Sequence, residues 1–190
     1  MGTILAFASE RSTGKPARNQ DPQYLLVPGL YDSDAGHWQT RWQRRHGLPR
    51  VVQPDWHSSN IAVWSETLER HVRELGAPVI LLAHSFGCLA TAVAAERLRD
   101  QVCAALLVAP ADPNKFGVAA SLPINALPFP SIMVGSADDP WMDCHWAQWW
   151  AEQWGSVFIN LGNAGHINTR SGFGDWPEGW ALAESLFSIS

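Results

Sequence analysis

The sequence predicts an α/β fold built on a doubly wound, mainly parallel sheet of about five or six strands. Three observations carry that expectation. Short apolar runs that stop at turn-forming residues recur along the chain, and segments of helical period separate them. The 190 residues with 46% hydrophobic content suit one continuous core. No internal repeat or low-complexity tract competes with this pattern.

Taken in order, Tyr24 to Val27 is an apolar run halted by Pro28-Gly29, as expected of a buried strand ending at a turn. The next segment, AGHWQTRWQRRHG, sets Trp38 and Trp42 on one helical face and ends at Gly47. Val51 and Val52 are expected to form a second strand before Pro54. Ile61, Trp64, Leu68, Val72 and Leu75 recur at helical spacing and define an amphipathic helix over 61–75. Val79 to Ala83 then reads as a strand, Cys88 to Leu98 as a helix, and Val102 to Val108 as a strand. Residues 110–130 contain five prolines and read as an irregular surface excursion. A strand over Ile132 to Gly135, a helix over Met142 to Trp154, a strand over Val157 to Leu161 and a helix over Gly179 to Phe187 complete the series. Strands separated by helices imply parallel βαβ units with right-handed crossovers. Residues 1–23, polar and rich in turn formers after a short apolar start, read as a mobile leader, and 24–190 as the single domain.

Composition excludes several classes of partner. Net charge is −5, and the basic residues are scattered apart from Arg41, Arg44 and Arg45, so no basic stripe for nucleic acid exists. No apolar run approaches the length that spans a bilayer, and Ile4 to Ala8 lacks the basic start and length of a signal peptide, so no membrane partner is expected. Cys88, Cys103 and Cys144 form no CxxC pair and are odd in number, which favours a reducing, cytoplasmic setting.

The most informative stretch is Ala83-His84-Ser85-Phe86-Gly87, where an apolar strand breaks and a helix begins. It matches the nucleophile elbow GxSxG with Ala83 at the first glycine. Positions two before and two after the serine must be small for strand and helix to pass closely. A serine there has a strained backbone and an exposed hydroxyl, with the Phe86 N–H and the positive end of the helix beside it. The competing reading makes Ser85 a plain helix cap, and His84 is expected to pack beside the elbow.

A serine hydroxyl needs a histidine base held by a carboxylate, and hydrolases with this elbow order them Ser, Asp or Glu, His. Asp138 and Asp139 follow the strand SIMVG, and His166 follows the last strand on a loop with Gly162 and Gly165. Neighbouring residues at a strand end point to opposite sides, so one of Asp138 and Asp139 faces His166 and the other is free to cap the helix after it. Physical argument does not choose between them. Asp138, Asp139, Asp143 and His145 match no metal-ligand spacing, so no metal is expected. A second oxyanion donor is expected after the first strand, at the Leu30 N–H.

The strings VPGLYDSDAGHWQ, PDWHSSNIAVW, LLAHSFGC, GSADDPW and AGHINTRSGFGDWPEG resemble the compact serine hydrolase family of the α/β-hydrolase superfamily, which includes retinoblastoma-binding protein 9 and bacterial YdeN-like proteins. The likeness runs from Tyr24 to the C-terminus. It implies a minimal α/β-hydrolase fold without a cap domain, with Ser85 as nucleophile and His166 as base. Because family members tend to place Asn-Asp-Pro or Asp-Asp-Pro at this point, the resemblance favours Asp139 as the carboxylate. It also implies that alanine before the His-Ser pair is ordinary.

Of the eleven tryptophans, Trp146, Trp149, Trp150 and Trp154 share one helical stripe and are expected to pack as core. Trp56, Trp141 and Trp176 lie on loops near strand ends and are expected to wall an apolar acyl pocket, with 110–130 as a further wall or small lid. The expected activity is therefore esterase-type hydrolysis of small acyl esters, the substrate being the partner, with no cofactor. The alternative is a non-catalytic protein-binding module that retains the fold, although the sequence names no protein partner.

Overall fold

The computed structural model describes residues 21–187. Within them, five parallel strands lie side by side in chain order: β1 (Gln23–Val27), β2 (Val79–His84), β3 (Val102–Val108), β4 (Ser131–Gly135) and β5 (Val157–Asn160). Leu25 pairs with Leu81, Leu81 with Ala105, Leu106 with Ile132, and Val134 with Ile159. Every residue of β2 and β3 is buried, as central strands covered on both faces require, while β5 leaves Val157 exposed at the edge.

The strand expected at Val51 and Val52 does not form. Arg50 makes one isolated parallel bridge with Leu26, and the Val51 N–H donates to the Leu26 carbonyl at 2.9 Å. Only Val51 of the pair is buried, and Pro49 and Pro54 confine the segment, so there is too little apolar chain to extend the pairing. The sheet thus has five strands with this short contact outside β1.

Among the described residues, five α-helices cover the sheet: α1 (Trp38–His46), α2 (Ile61–Leu75), α3 (Phe86–Ala94), α4 (Cys144–Trp154) and α5 (Pro177–Phe187). Helix α1 ends at Gly47 in a left-handed turn, and α2 opens on Asn60, whose side chain accepts from the Val63 N–H at 3.3 Å. Alternation along the strands divides the core into two layers. Leu25, Val27, Leu81 and Leu107 meet Leu68, Leu89 and Trp150 on the face of α2, α3 and α4. Leu26, Ile80, Leu82 and Leu106 meet Trp38, Trp42 and Leu186 on the face of α1 and α5. From β1 the chain crosses one face through α1, touches the outer edge at Arg50, and returns over the other face through α2 to β2. The winding reverses at β1, which opens a crevice beyond the carboxyl ends of β1 and β2. No helix among the described residues is long and apolar enough to cross a membrane.

Candidate active site

Ser85 occupies that crevice. Its backbone has φ 53° and ψ −122°, a strained conformation for a residue with a side chain, and its N–H is anchored on the Val108 carbonyl at 3.0 Å. The hydroxyl makes no helix-capping bond, so the plain-cap reading of the serine does not hold. Gly87 is what lets the turn close: a Cβ there would stand 2.4 Å from the Val27 carbonyl oxygen and 2.5 Å from that of Pro28. Ala83, with no exposed surface, fits the first small position of the elbow.

Ser85 Oγ lies 2.9 Å from His166 Nε2, and His166 Nδ1 lies 2.9 Å from each oxygen of the Asp139 carboxylate. Both side chains of the pair are shielded, with exposures of 2% for Asp139 and 9% for His166. Asp139 also accepts from the Trp141 N–H at 2.8 Å, which fixes the carboxylate from its own loop. Asp138 does not cap α4; Asp143 does, accepting from the His145 N–H at 2.8 Å. Asp138 instead turns to the histidine loop, accepting from the Gly165 N–H at 2.7 Å and the Ser136 hydroxyl at 2.8 Å. The Gly165 N–H is the main reason its carboxyl is held below the usual range, with the Ser136 hydroxyl adding to it. Gly165 has φ 54°, so glycine here supplies a left-handed turn rather than mere pliability.

Opposite the imidazole, Gly29 packs directly on the elbow, where a Cβ would stand 2.7 Å from Ser85 Cβ and 3.3 Å from Phe86 N. The next residue is Leu30, whose N–H donates to no protein acceptor among the described residues. The Phe86 N–H opens α3, where no preceding turn supplies a carbonyl. Two backbone donors without helical or loop partners thus flank the serine.

The sequence profile of the serine hydrolase family matches residues 24–185. The chain belongs to the serine hydrolase family. It is similar to a YdeN-like hydrolase from Pectobacterium atrosepticum, with 36% identity over 89% of this chain and 92% of that one at a TM-score of 0.84. The ydeN gene product of Bacillus subtilis matches at 21% identity and a TM-score of 0.71, over 88% of this chain and 99% of that one. A hydrolase of the α/β superfamily from Xanthomonas campestris matches at 19% identity and a TM-score of 0.66, over 89% and 99% of the two chains. No curated protein matches the chain. This is a YdeN-like serine hydrolase with the compact α/β-hydrolase fold.

The remaining aromatic residues of this serine hydrolase divide sharply. Trp141 is 47% exposed, and its ring centroid is 6.3 Å from that of His166. Trp56 lies one layer back: its ring packs edge-on against Trp64 at 5.8 Å, and Trp64 in turn meets Phe86 at 5.0 Å. The Trp56 contribution beside the crevice is its carbonyl, which accepts from the Tyr31 N–H at 2.9 Å. Trp176 corrects the expectation of a pocket wall. It is buried on the α1 and α5 face, against Trp38 at 5.5 Å, Trp42 at 5.9 Å and Phe173 at 5.5 Å, and its ring lies over Gly179, which leaves room for it. In the α4 stripe, Trp150 and Trp154 are core as expected, whereas Trp146 is exposed.

Two features went unread in the sequence. Phe116, inside the proline-rich excursion, stacks on Trp141 at 6.5 Å and meets Phe86 edge-on at 5.3 Å. His84 does more than pack beside the elbow: its Nε2 donates to the His166 carbonyl at 3.0 Å, and its ring stands between those of His37 and His166. Among the described residues no cluster of His, Cys, Asp and Glu could hold a metal ion.

Proposed function

We propose that the protein is an esterase-type serine hydrolase that cleaves small acyl esters through an acyl-enzyme on Ser85. The single observation that supports this reading is the unbroken hydrogen-bonded row from Ser85 Oγ through His166 to Asp139, at 2.9 Å in each link. His166 Nε2 takes the hydroxyl proton as Oγ attacks the carbonyl carbon, and Asp139 holds the ring in the tautomer that can accept it. The Leu30 and Phe86 N–H groups bind the oxyanion. The tetrahedral adduct collapses as the C–O bond to the alcohol breaks and His166 returns the proton to the leaving oxygen. A water molecule then repeats the attack on the acyl-enzyme, giving up its proton to His166 and releasing the carboxylic acid as Ser85 regains its hydrogen. Every step uses a group of this chain, so the reading calls for no cofactor. A cytoplasmic setting, expected from the cysteine count, belongs to the same proposal.

Exposing the folded protein to a serine-directed fluorophosphonate is the decisive experiment. Labelling at Ser85 is expected, together with hydrolysis of p-nitrophenyl acetate that Ser85→Ala reduces by roughly 10⁴ to 10⁶. Folded protein that stays unlabelled, or equal hydrolysis by the variant and the parent, would overturn the enzyme reading in favour of a binding module.

A further inference from the structure

Resting on that reading, we propose that Trp141 and Phe116 form the subsite for the leaving group, and that the substrates are esters of small aromatic alcohols. Most tryptophans of the domain are buried, yet Trp141 keeps 47% of its surface open beside the imidazole. Its stacking on Phe116 at an interplanar angle of 27°, and the contact of Phe116 with Phe86, extend this apolar shelf from the base to the residue after the nucleophile. An exposed aromatic surface of this kind favours a flat apolar partner, through area burial and ring-on-ring geometry together.

The shelf is held in place by its backbone. The Trp141 N–H donates to Asp139 at 2.8 Å and its carbonyl accepts from the Asp112 N–H at 3.2 Å. Lys115 Nζ donates to the Pro140 carbonyl at 2.9 Å, which ties the loop carrying Phe116 to the loop carrying Trp141. Little ordering is left for a ligand to impose on the two rings.

Position assigns the ligand moiety. When the C–O bond breaks, the leaving oxygen takes its proton from His166 Nε2 and must lie within about 2.6–3.2 Å of it. The group attached to that oxygen therefore extends along the flank of the imidazole, where Trp141 stands. The acyl carbon is bonded instead to Ser85 Oγ, with its oxygen between the Leu30 and Phe86 N–H groups. Once the alcohol has departed, water occupies its place, so the shelf acts in acylation and is idle in deacylation.

The test holds the acyl group constant and varies the alcohol. Benzyl acetate and cyclohexylmethyl acetate have alcohols of similar size and acidity, one flat and aromatic, the other puckered. The parent protein should prefer the benzyl ester. Trp141→Ala should lower kcat/KM for it about tenfold and for the cyclohexylmethyl ester less than about threefold, as expected for loss of a ring contact. Trp141→Phe, which keeps a ring, should retain the benzyl preference. Breakdown of the acetyl-enzyme, followed directly as loss of the acetyl group from Ser85 once free p-nitrophenyl acetate is removed, should change less than about twofold in Trp141→Ala. Equal losses for the two esters, or slowed acetyl-enzyme breakdown, would overturn the leaving-group assignment. Failure of a fluorophosphonate to label Ser85 in the folded parent would strike the hydrolase reading itself, whereas a labelled, active parent that does not discriminate between the alcohols strikes only the subsite.

Discussion

The two rims that flank Ser85 are held by different means. On the imidazole side, the turn has positive φ at Gly162 and Gly165 and at one side-chain residue, Ile167 at φ 46°, and it pairs its backbone with Asp138 and Ser136. On the side of the proposed oxyanion donors, Leu30 is followed by two non-glycine residues with left-handed backbones, Tyr31 at φ 66° and Asp32 at φ 59°. Such residues store about 1–3 kcal/mol each and persist only when their surroundings over-determine them. Here Arg50 does so: Nη1 meets Asp32 at 2.8 Å, Nη2 donates to the Thr40 hydroxyl at 2.6 Å, and that hydroxyl donates to the Ser33 carbonyl at 2.8 Å. The imidazole rim carries one left-handed side-chain residue and spreads its support over several bonds, while the other carries two in succession and relies on one cation for its side-chain clamp. The first should fail when the ring loses its carboxylate, and the second when its loop is released.

Asp139→Asn probes the first rim and should have the largest effect. An amide offers Nδ1 the wrong partner and favours the wrong tautomer, which lowers kcat by roughly 10³ to 10⁴ in comparable rows. Steady-state ester hydrolysis measures it, and a loss below tenfold would mean that some other group orients His166.

Arg50→Met probes the second rim. Releasing Asp32 lets the Leu30 N–H drift from the oxyanion, for which a loss of about 10² in kcat with little change in KM is expected, by analogy with removing one such donor. Arg50→Lys should recover part of kcat but not all, because an ammonium cannot span Asp32 and Thr40 in the same fork. Equal kcat in the Met variant and the parent would show that the strained turn holds itself.

How far these features could be read in advance follows from how local each one is. Helix α2 spans Ile61–Leu75 as its three- and four-residue spacing predicts, and the strand ends bring Ser85, Asp139 and His166 to one rim because a parallel sheet gathers its carboxyl ends. Trp141 and Trp176 looked alike in sequence, both on loops near strand ends, yet they lie on opposite sides of the question: one borders His166 and the other is sealed under α1 and α5. Loop position carries no information about which sheet face receives a ring. The clamp of Arg50 on Asp32 joins residues 18 apart in the chain, with no periodicity to announce it. Val51 and Val52 misled because a β-branched pair suits a strand locally, whereas pairing needs more length than the flanking prolines allow.

Between the rims stand His37 and His84, whose rings are 4.7 Å apart. Burial is the main cause that pushes His37 down to about 4, with Arg50 and His166 adding to it and Asp34 opposing. Burial likewise holds His84 well below its ordinary value, reinforced by His37 and His166. Between these folded values and the ordinary 6.5, the unfolded chain binds more protons than the folded one, so stability must fall as pH falls through that window. From pH 7.5 to pH 5, His37 alone removes about 2 kcal/mol. Urea midpoints at the two pH values measure this. His37→Asn, which keeps an acceptor at the start of α1, should flatten the dependence, and a pH-independent parent would remove both histidines from the account.

Asp138→Asn should have the smallest effect, and it tests whether support on the imidazole side is distributed. Asp138 touches neither the imidazole nor Ser85; it holds the loop through the Gly165 N–H and the Ser136 hydroxyl. Its carboxylate is open to water, and asparagine keeps one acceptor oxygen, so only the charge-assisted part of those bonds is lost. Ser136 adds a parallel support, since its oxygen accepts from the Ala164 N–H at 3.0 Å and lies 3.1 Å from the Gly162 carbonyl. A drop in kcat of about tenfold or less is therefore expected, with KM unchanged. The adjacent carboxylates are thus distinguished by what they hold, one the ring and the other the loop beneath it. A larger loss in Asp138→Asn than in Asp139→Asn would reverse that assignment.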